Sequence, residues 1–146
     1  MRGCNRPAEI LLVEDNPGDV ELVHEALESG RVLNRISVTP DGEAAIAFLR
    51  RETGFEEAPR PDMVLLDLNI PKKDGFQVLK EIKGDPVLAN IPVVVLTTSH
   101  ADRDILKGYR LQANCFVSKP VDVDEFLRVV RSTGEFWLSI VKLPSQ

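Results

Sequence analysis

Residues 62–71 read Asp62-Met63-Val64-Leu65-Leu66-Asp67-Leu68-Asn69-Ile70-Pro71. Four consecutive apolar residues, Met63 to Leu66, run straight into a carboxylate. An apolar run of this length, bounded by polar residues, reads as a strand buried on both faces, the mark of a parallel sheet. Asp67 stands where that strand ends, and Pro71 turns the chain. In open α/β sheets the carboxyl ends of the strands are where ligands bind.

Four further strands read on either side. Ile10-Leu11-Leu12-Val13 runs into Glu14-Asp15, and Ile36-Ser37-Val38-Thr39 is a shorter second strand. Val93-Val94-Val95-Leu96, preceded by Pro92, leads to Thr97-Thr98-Ser99. Cys115-Phe116-Val117 leads to Ser118-Lys119-Pro120.

Helical patterns fill the gaps. Asn16 is a candidate N-cap, with Pro17 at the first helical position and Asp19 favouring the positive end of the helix. Val20, Val23, Ala26 and Leu27 mark the buried stripe of that helix, which Gly30 ends. Asp41 caps a second helix bearing Ala44, Ala45, Phe48 and Leu49, with Arg50 and Arg51 in its last turn. Asp74-Gly75 opens a third, with Phe76, Leu79 and Ile82 on one face, broken by Gly84-Asp85-Pro86. A fourth covers about residues 102–111 and is interrupted by Gly108. Asp122 and Glu125 form a capping-box-like pair for the last helix. Residues 52–61, with Gly54, Pro59 and Pro61, form a long loop.

The β-α unit thus recurs five times. This alternation predicts an α/β fold: a five-stranded parallel sheet with helices on both faces, joined by right-handed crossovers. The chain of 146 residues is expected to form one domain, with a core over about 8–133 and an extension over about 134–146. Hydrophobic residues make up 43%, which suits a globular core. A net charge of −5 argues against a nucleic-acid surface. No apolar run reaches the roughly 18 residues of a membrane helix. The N-terminal residues do not read as a secretory signal, so a cytoplasmic protein without membrane or nucleic-acid partners is expected. Cys4 lies in a polar tail and Cys115 in an apolar strand, which gives no disulfide framework. The two histidines, His24 and His100, form no metal-type cluster with cysteine.

Chemistry concentrates at the strand ends: Glu14 and Asp15, Asp67, Thr97 and Lys119. Taken singly, each has a bland reading as a helix-terminal acid, a solvated carboxylate, a strand threonine or a surface lysine. In a doubly wound sheet of order 2-1-3-4-5, strands 1 and 3 are neighbours, and all five groups meet at one edge. Like charges about 4 Å apart repel by roughly 4 kcal/mol at an effective dielectric of 20, so three carboxylates call for a cation. An oxygen-rich site of this kind suits Mg²⁺ with substrate phosphate. Asp67 is then a candidate nucleophile toward phosphorus, with Lys119 and Mg²⁺ neutralising charge and Thr97 donating to a phosphoryl oxygen.

These residues carry a resemblance. Glu14-Asp15, Asp67-Leu68-Asn69-Ile70-Pro71-Lys72-Lys73-Asp74-Gly75, Thr97 and Lys119-Pro120 together resemble the receiver domain of two-component response regulators, over Ala8 to about Arg131. The resemblance implies the flavodoxin-like (βα)5 fold of order 2-1-3-4-5. It implies that Asp67 takes a phosphoryl group from a sensor histidine kinase and that the chain catalyses only its own phosphorylation and dephosphorylation. Glu14, Asp15, Asp67 and the carbonyl of Asn69 would hold Mg²⁺. Thr97 and Phe116 would act as the switch pair, and Lys119-Pro120 would be a cis peptide. Phe116 stands where the family often has Tyr, and Ile70 where Met or Leu is usual.

Beyond that core, Phe126, Val130, Thr133, Trp137 and Ile140 recur at spacings of four and three, a heptad-like stripe on an extended last helix. Gly134 interrupts it and Pro144 ends it. The stripe either folds back on its own domain or forms a homodimer interface through Phe126, Val130, Trp137 and Ile140. Residues 52–61, Pro17-Gly18-Asp19-Val20, Ile91 to Ser99, Phe136-Trp137-Leu138 and Leu143-Pro144 further resemble the small stand-alone regulators paired with bacterial and cyanobacterial phytochrome kinases. The alternatives are a different sensor kinase or a receiver-like interaction module that does not use phosphate. A flavodoxin-type binder would want a phosphate cradle where Glu14-Asp15 stands. A haloacid-dehalogenase-type phosphatase would want a second Asp at Asn69.

Overall fold

A computed structural model describes residues 7–30, 33–97, 115–119 and 122–131. The strands are β1 (Ala8–Val13), β2 (Asn34–Thr39), β3 (Met63–Asp67), β4 (Val93–Thr97) and β5 (Cys115–Ser118). The described helices are α1 (Pro17–Ser29), α2 (Gly42–Arg50), α3 (Gly75–Gly84) and α4 (Val123–Arg131). The strands form one sheet in the order β2-β1-β3-β4-β5, with every neighbouring pair parallel.

Successive side chains of a strand point to opposite faces, and the two cores divide accordingly. Val64 and Leu66 of β3 join Leu11, Val13, Val93 and Val95 against Ala45, Ile46, Leu49, Val78, Leu79 and Ile82 of α2 and α3. Met63 and Leu65 join Ile10, Leu12, Val94, Leu96 and Val117 against Val23, Ala26, Leu27 and Phe126 of α1 and α4. The four-residue apolar run is therefore apolar because both of its faces are covered.

Local chemistry sets the helix boundaries. Asn16 is extended and accepts hydrogen bonds from the Gly18 and Asp19 N–H groups, with Pro17 at the first position of α1. Asp41 caps α2 through the Ala44 N–H, and α2 ends in Arg51, a non-glycine residue at φ 54°. Asp74 and Gln77 form a reciprocal capping box at the start of α3. Asp122 accepts from the Glu125 N–H at 2.9 Å and so caps α4.

Some expectations shift. β1 begins at Ala8 and β2 at Asn34, each two residues earlier than the apolar pattern suggests. In α2 Ile46 is buried while Ala44 is only half-buried, and in α3 Val78 is buried while Phe76 is half-buried. The loop of residues 52–61 is pinned by Phe55, which packs edge-on against Phe48 with centroids 5.7 Å apart. The expected helix at 102–111, the Lys119-Pro120 peptide and the extension after Arg131, with Trp137 and Ile140, lie outside the described residues.

One expectation is corrected. Phe126, assigned from its spacing to a subunit interface, is 0% exposed and packs in the core against α1 and the sheet. A side chain with no accessible surface cannot meet a second subunit. The heptad spacing marked the inward face of α4 at this position.

Candidate functional site

The site lies at the carboxyl edge of the sheet. Glu14 and Asp15 follow β1, Asp67 ends β3, and these strands are adjacent. Glu14 is 2% exposed and Asp67 3%, whereas Asp15 faces solvent. Carboxylate oxygens of the three residues all lie within 4.8 Å of one another.

Each buried carboxylate has protein donors. Glu14 Oε2 accepts from the Asn16 N–H at 3.3 Å, and Asp67 Oδ1 accepts from the Asn69 N–H at 3.0 Å. Asn69 itself is exposed beside the acids. Lys119 follows β5, two strands away from β3, and its side chain reaches over the end of β4. Its Nζ lies 3.0 Å from Glu14 Oε1 and 3.3 Å from Asp67 Oδ2. A third carboxylate, Asp19 Oδ2 in the first turn of α1, is nearer still at 2.8 Å. Asp19 reads in the sequence only as a helix-terminal acid; its link to Lys119 arises because α1 starts directly beside the β1 end.

Electrostatics follow from this crowding. Burial pushes the Glu14 carboxyl up from 4.5 to about 7; the Lys119 ammonium opposes the shift and the neighbouring Asp67 adds to it. For Lys119, burial works against the charged form, but Asp19, Glu14 and Asp67 outweigh it and raise the pKa above the ordinary lysine value. Glu14, Asp67 and the half-buried Asp19 share a single ammonium, and the exposed Asp15 adds a further carboxylate beside them, so the cluster remains short of positive charge. Three carboxylates presenting hard oxygen donors within bonding reach of one ion fit Mg²⁺ or Mn²⁺.

The loop after Asp67 is held from both sides. Gly75 opens α3 so close to the end of β3 that a Cβ would stand 2.5 Å from Leu68 Cα and 2.8 Å from the Asp67 carbonyl oxygen. Gly42, at the start of α2, lies against the same loop: a Cβ there would stand 1.8 Å from the Lys73 carbonyl oxygen. The Gly42 N–H donates to the Pro71 carbonyl at 3.4 Å, and Lys72, at φ 66°, lies 3.7 Å from Asp41. The capping residues of α2 thus brace the loop that leaves Asp67. The backbone of Thr97 ends β4 beside Asp67, in register with Ser118. The side chains of Thr97, Phe116 and Val130 lie outside what the structure describes.

A doubly wound parallel sheet whose carboxyl edge gathers a buried aspartate, two further acids and a lysine defines a phosphoacceptor receiver. The chain belongs to the response regulator receiver domain family, whose model matches residues 10–131. It is 45% identical to the response regulator Rcp1 of Synechocystis sp. over 141 residues, 97% of this chain and 96% of Rcp1. Among solved structures it is similar to the bacteriophytochrome response regulator AtBRR, with TM-score 0.84 and 40% identity over 97% of this chain and 99% of that one. It is likewise similar to the phosphorylated cyanobacterial phytochrome response regulator RcpA, with TM-score 0.76 and 47% identity over 95% and 99%. The Mn²⁺-bound form of Rcp1 superposes with TM-score 0.75 over 95% of this chain and all of that one.

Proposed function

We propose that this chain, as a single receiver domain, is the phosphoacceptor for a phytochrome-type sensor histidine kinase, with Asp67 as the residue modified. The observation that carries the assignment is the Asp67 carboxylate itself, buried yet tied to Lys119 and adjacent to Glu14 and Asp15. The kinase class is supported by the likeness to phytochrome response regulators along nearly their whole lengths.

In the transfer, a carboxylate oxygen of Asp67 attacks the phosphorus of a phosphohistidine. A P–O bond forms and the P–N bond breaks, its electron pair staying on the imidazole nitrogen. The Asn69 N–H on Oδ1 and Lys119 on Oδ2 hold the Asp67 carboxylate in place. Lys119 also offsets the charge gathering on the phosphoryl oxygens. Glu14, Asp15 and Asp67, with the carbonyl of Asn69, would hold Mg²⁺. Bound there, Mg²⁺ would supply the remaining positive charge to the phosphoryl group. Thr97 then donates to a phosphoryl oxygen and Phe116 follows its movement, altering the surface around β4 and β5. The chain accelerates its own phosphorylation and dephosphorylation and no other reaction.

The signal passes by protein contact. No helix of the described residues is long and apolar enough to cross a membrane, and a cytoplasmic kinase domain is the natural donor. A homodimer through the stripe at Val130, Trp137 and Ile140 gives these residues a role, since an exposed tryptophan is otherwise unfavourable. Light scattering of Trp137→Ala should show loss of the dimer, and an unchanged mass would assign the stripe to the chain's own domain.

The decisive experiment is intact mass after incubation with acetyl phosphate and Mg²⁺. The wild type gains one phosphoryl group and Asp67→Asn gains none. No gain in the wild type, or a gain that survives Asp67→Asn, would sink the assignment.

A further inference from the structure

We propose that Asp19 is a positioning residue that anchors the Lys119 ammonium at the phosphoryl site whether or not the acidic cluster holds a cation. The inference rests on the reading of Lys119 as the cation that faces the phosphoryl group, and it assigns a role to a residue outside the acidic cluster.

An ammonium carries three N–H donors, and Lys119 meets three carboxylates, Asp19, Glu14 and Asp67, at 2.8, 3.0 and 3.3 Å. Two of the three have other work. Glu14 and Asp67 belong to the cluster whose oxygens converge for a cation, and Asp67 is also the phosphoacceptor. Cation binding and phosphorylation therefore redirect both. Asp19 is outside that cluster, so its bond to Lys119 competes with neither event.

Its placement suits a fixed anchor. The Asp19 N–H donates to Asn16 Oδ1 at 3.1 Å, so the cap that starts α1 also sets the backbone of Asp19. Asp19 is 24% exposed and Lys119 10%, so the pair is largely withdrawn from water, where a charge-assisted hydrogen bond counts for more. Lys119 is a long, flexible side chain spanning the end of β4, and a lysine of that kind occupies many rotamers unless its head is held. The ordinary role of an acid in a first helical turn, favourable interaction with the helix dipole, accounts for its charge but not for its contact with a residue beyond β5.

The test compares wild type, Asp19→Asn and Asp19→Ala at saturating Mg²⁺, following phosphorylation by acetyl phosphate through intact mass. Asp19→Ala should be slower by about tenfold, the weight of one charge-assisted hydrogen bond. Asp19→Asn should fall between, because its amide oxygen still accepts from Lys119. Equal, measurable rates in all three proteins would overturn the anchor, and so would equal slowing in Asn and Ala, which would assign the effect to charge alone.

A second readout does not depend on phosphorylation. In Mg²⁺-loaded protein the ¹⁵N ammonium signal of Lys119, identified by its loss in Lys119→Arg, should persist in the wild type and disappear in Asp19→Ala. Persistence in Asp19→Ala would overturn the inference. A signal that depends on Asp19 in a wild type that takes no phosphoryl group would leave the anchor standing and remove the phosphoacceptor assignment instead.

Discussion

Lys119 Nζ lies 3.3 Å from Asp67 Oδ2, although the two residues are 52 positions apart in the chain. The same ammonium also bonds Glu14 and Asp19, so one positive charge serves three acids. Repulsion between Asp67 and Glu14 is therefore only partly relieved. Asp67→Asn should raise the melting temperature of protein in chelator, corresponding to about 1 kcal/mol, because it removes one of the crowded charges and keeps an acceptor for Lys119. Mg²⁺ should narrow the gap. Calorimetry with and without chelator reads both; a lower melting temperature for the variant in chelator would contradict the account.

Glu14 makes stability depend on pH. Its folded pKa of about 7 lies above the 4.5 of an ordinary glutamate, raised mainly by burial. Between those values the folded protein keeps a proton that the unfolded chain has released. The metal-free protein should thus be more stable near pH 5 than near pH 8, with the loss spread over that window and on the order of 2 kcal/mol. Mg²⁺ affinity should run the other way, rising toward pH 8 as Glu14 deprotonates. Urea titrations in chelator at the two pH values, with Glu14→Gln as control, test the first statement. Isothermal titration with Mg²⁺ tests the second.

Gly42 and Gly84 should respond oppositely to alanine. A Cβ at Gly42 would overlap the Lys73 carbonyl oxygen, so α2 or the loop after Asp67 must shift. Gly42→Ala should destabilise by about 2–3 kcal/mol and also weaken Mg²⁺ binding, since that loop carries Asn69. A Cβ at Gly84 meets nothing within 4 Å, so Gly84→Ala should be neutral or stabilise by up to about 1 kcal/mol. Equilibrium unfolding of the two variants side by side is sufficient.

Phe126→Ala should cost about 3–5 kcal/mol, because a fully buried aromatic ring is removed from the core between α4, α1 and the sheet. The loss should appear in monomeric protein and be independent of concentration. A concentration-dependent loss would restore Phe126 to a subunit contact.

Much of this protein was legible in the order of its residues, and for identifiable reasons. Met63 to Leu66 announce a doubly covered strand, and a parallel sheet puts the carboxyl ends of all its strands at one edge. Glu14, Asp15, Asp67 and Lys119 could therefore be gathered from three distant stretches without coordinates. Caps are equally local: Asn16, Asp41 and Asp74 bond N–H groups two or three residues ahead, within reach of a sequence reading. Other features arise from packing between elements that no local pattern encodes. Phe126 carries a spacing compatible with either face of a helix, and only the position of α4 against α1 turns it inward. Gly42 is needed because a loop from β3 presses on α2, and Lys72 takes a left-handed conformation in that same contact. The role of Asp19 depends on how far Lys119 reaches across β4, a distance set by strand order and side-chain length together. Residue type and periodicity determined the sheet and the acids at its edge. Folding in three dimensions was needed to bring one lysine within hydrogen-bonding distance of three acids and to add Asp19 to the site.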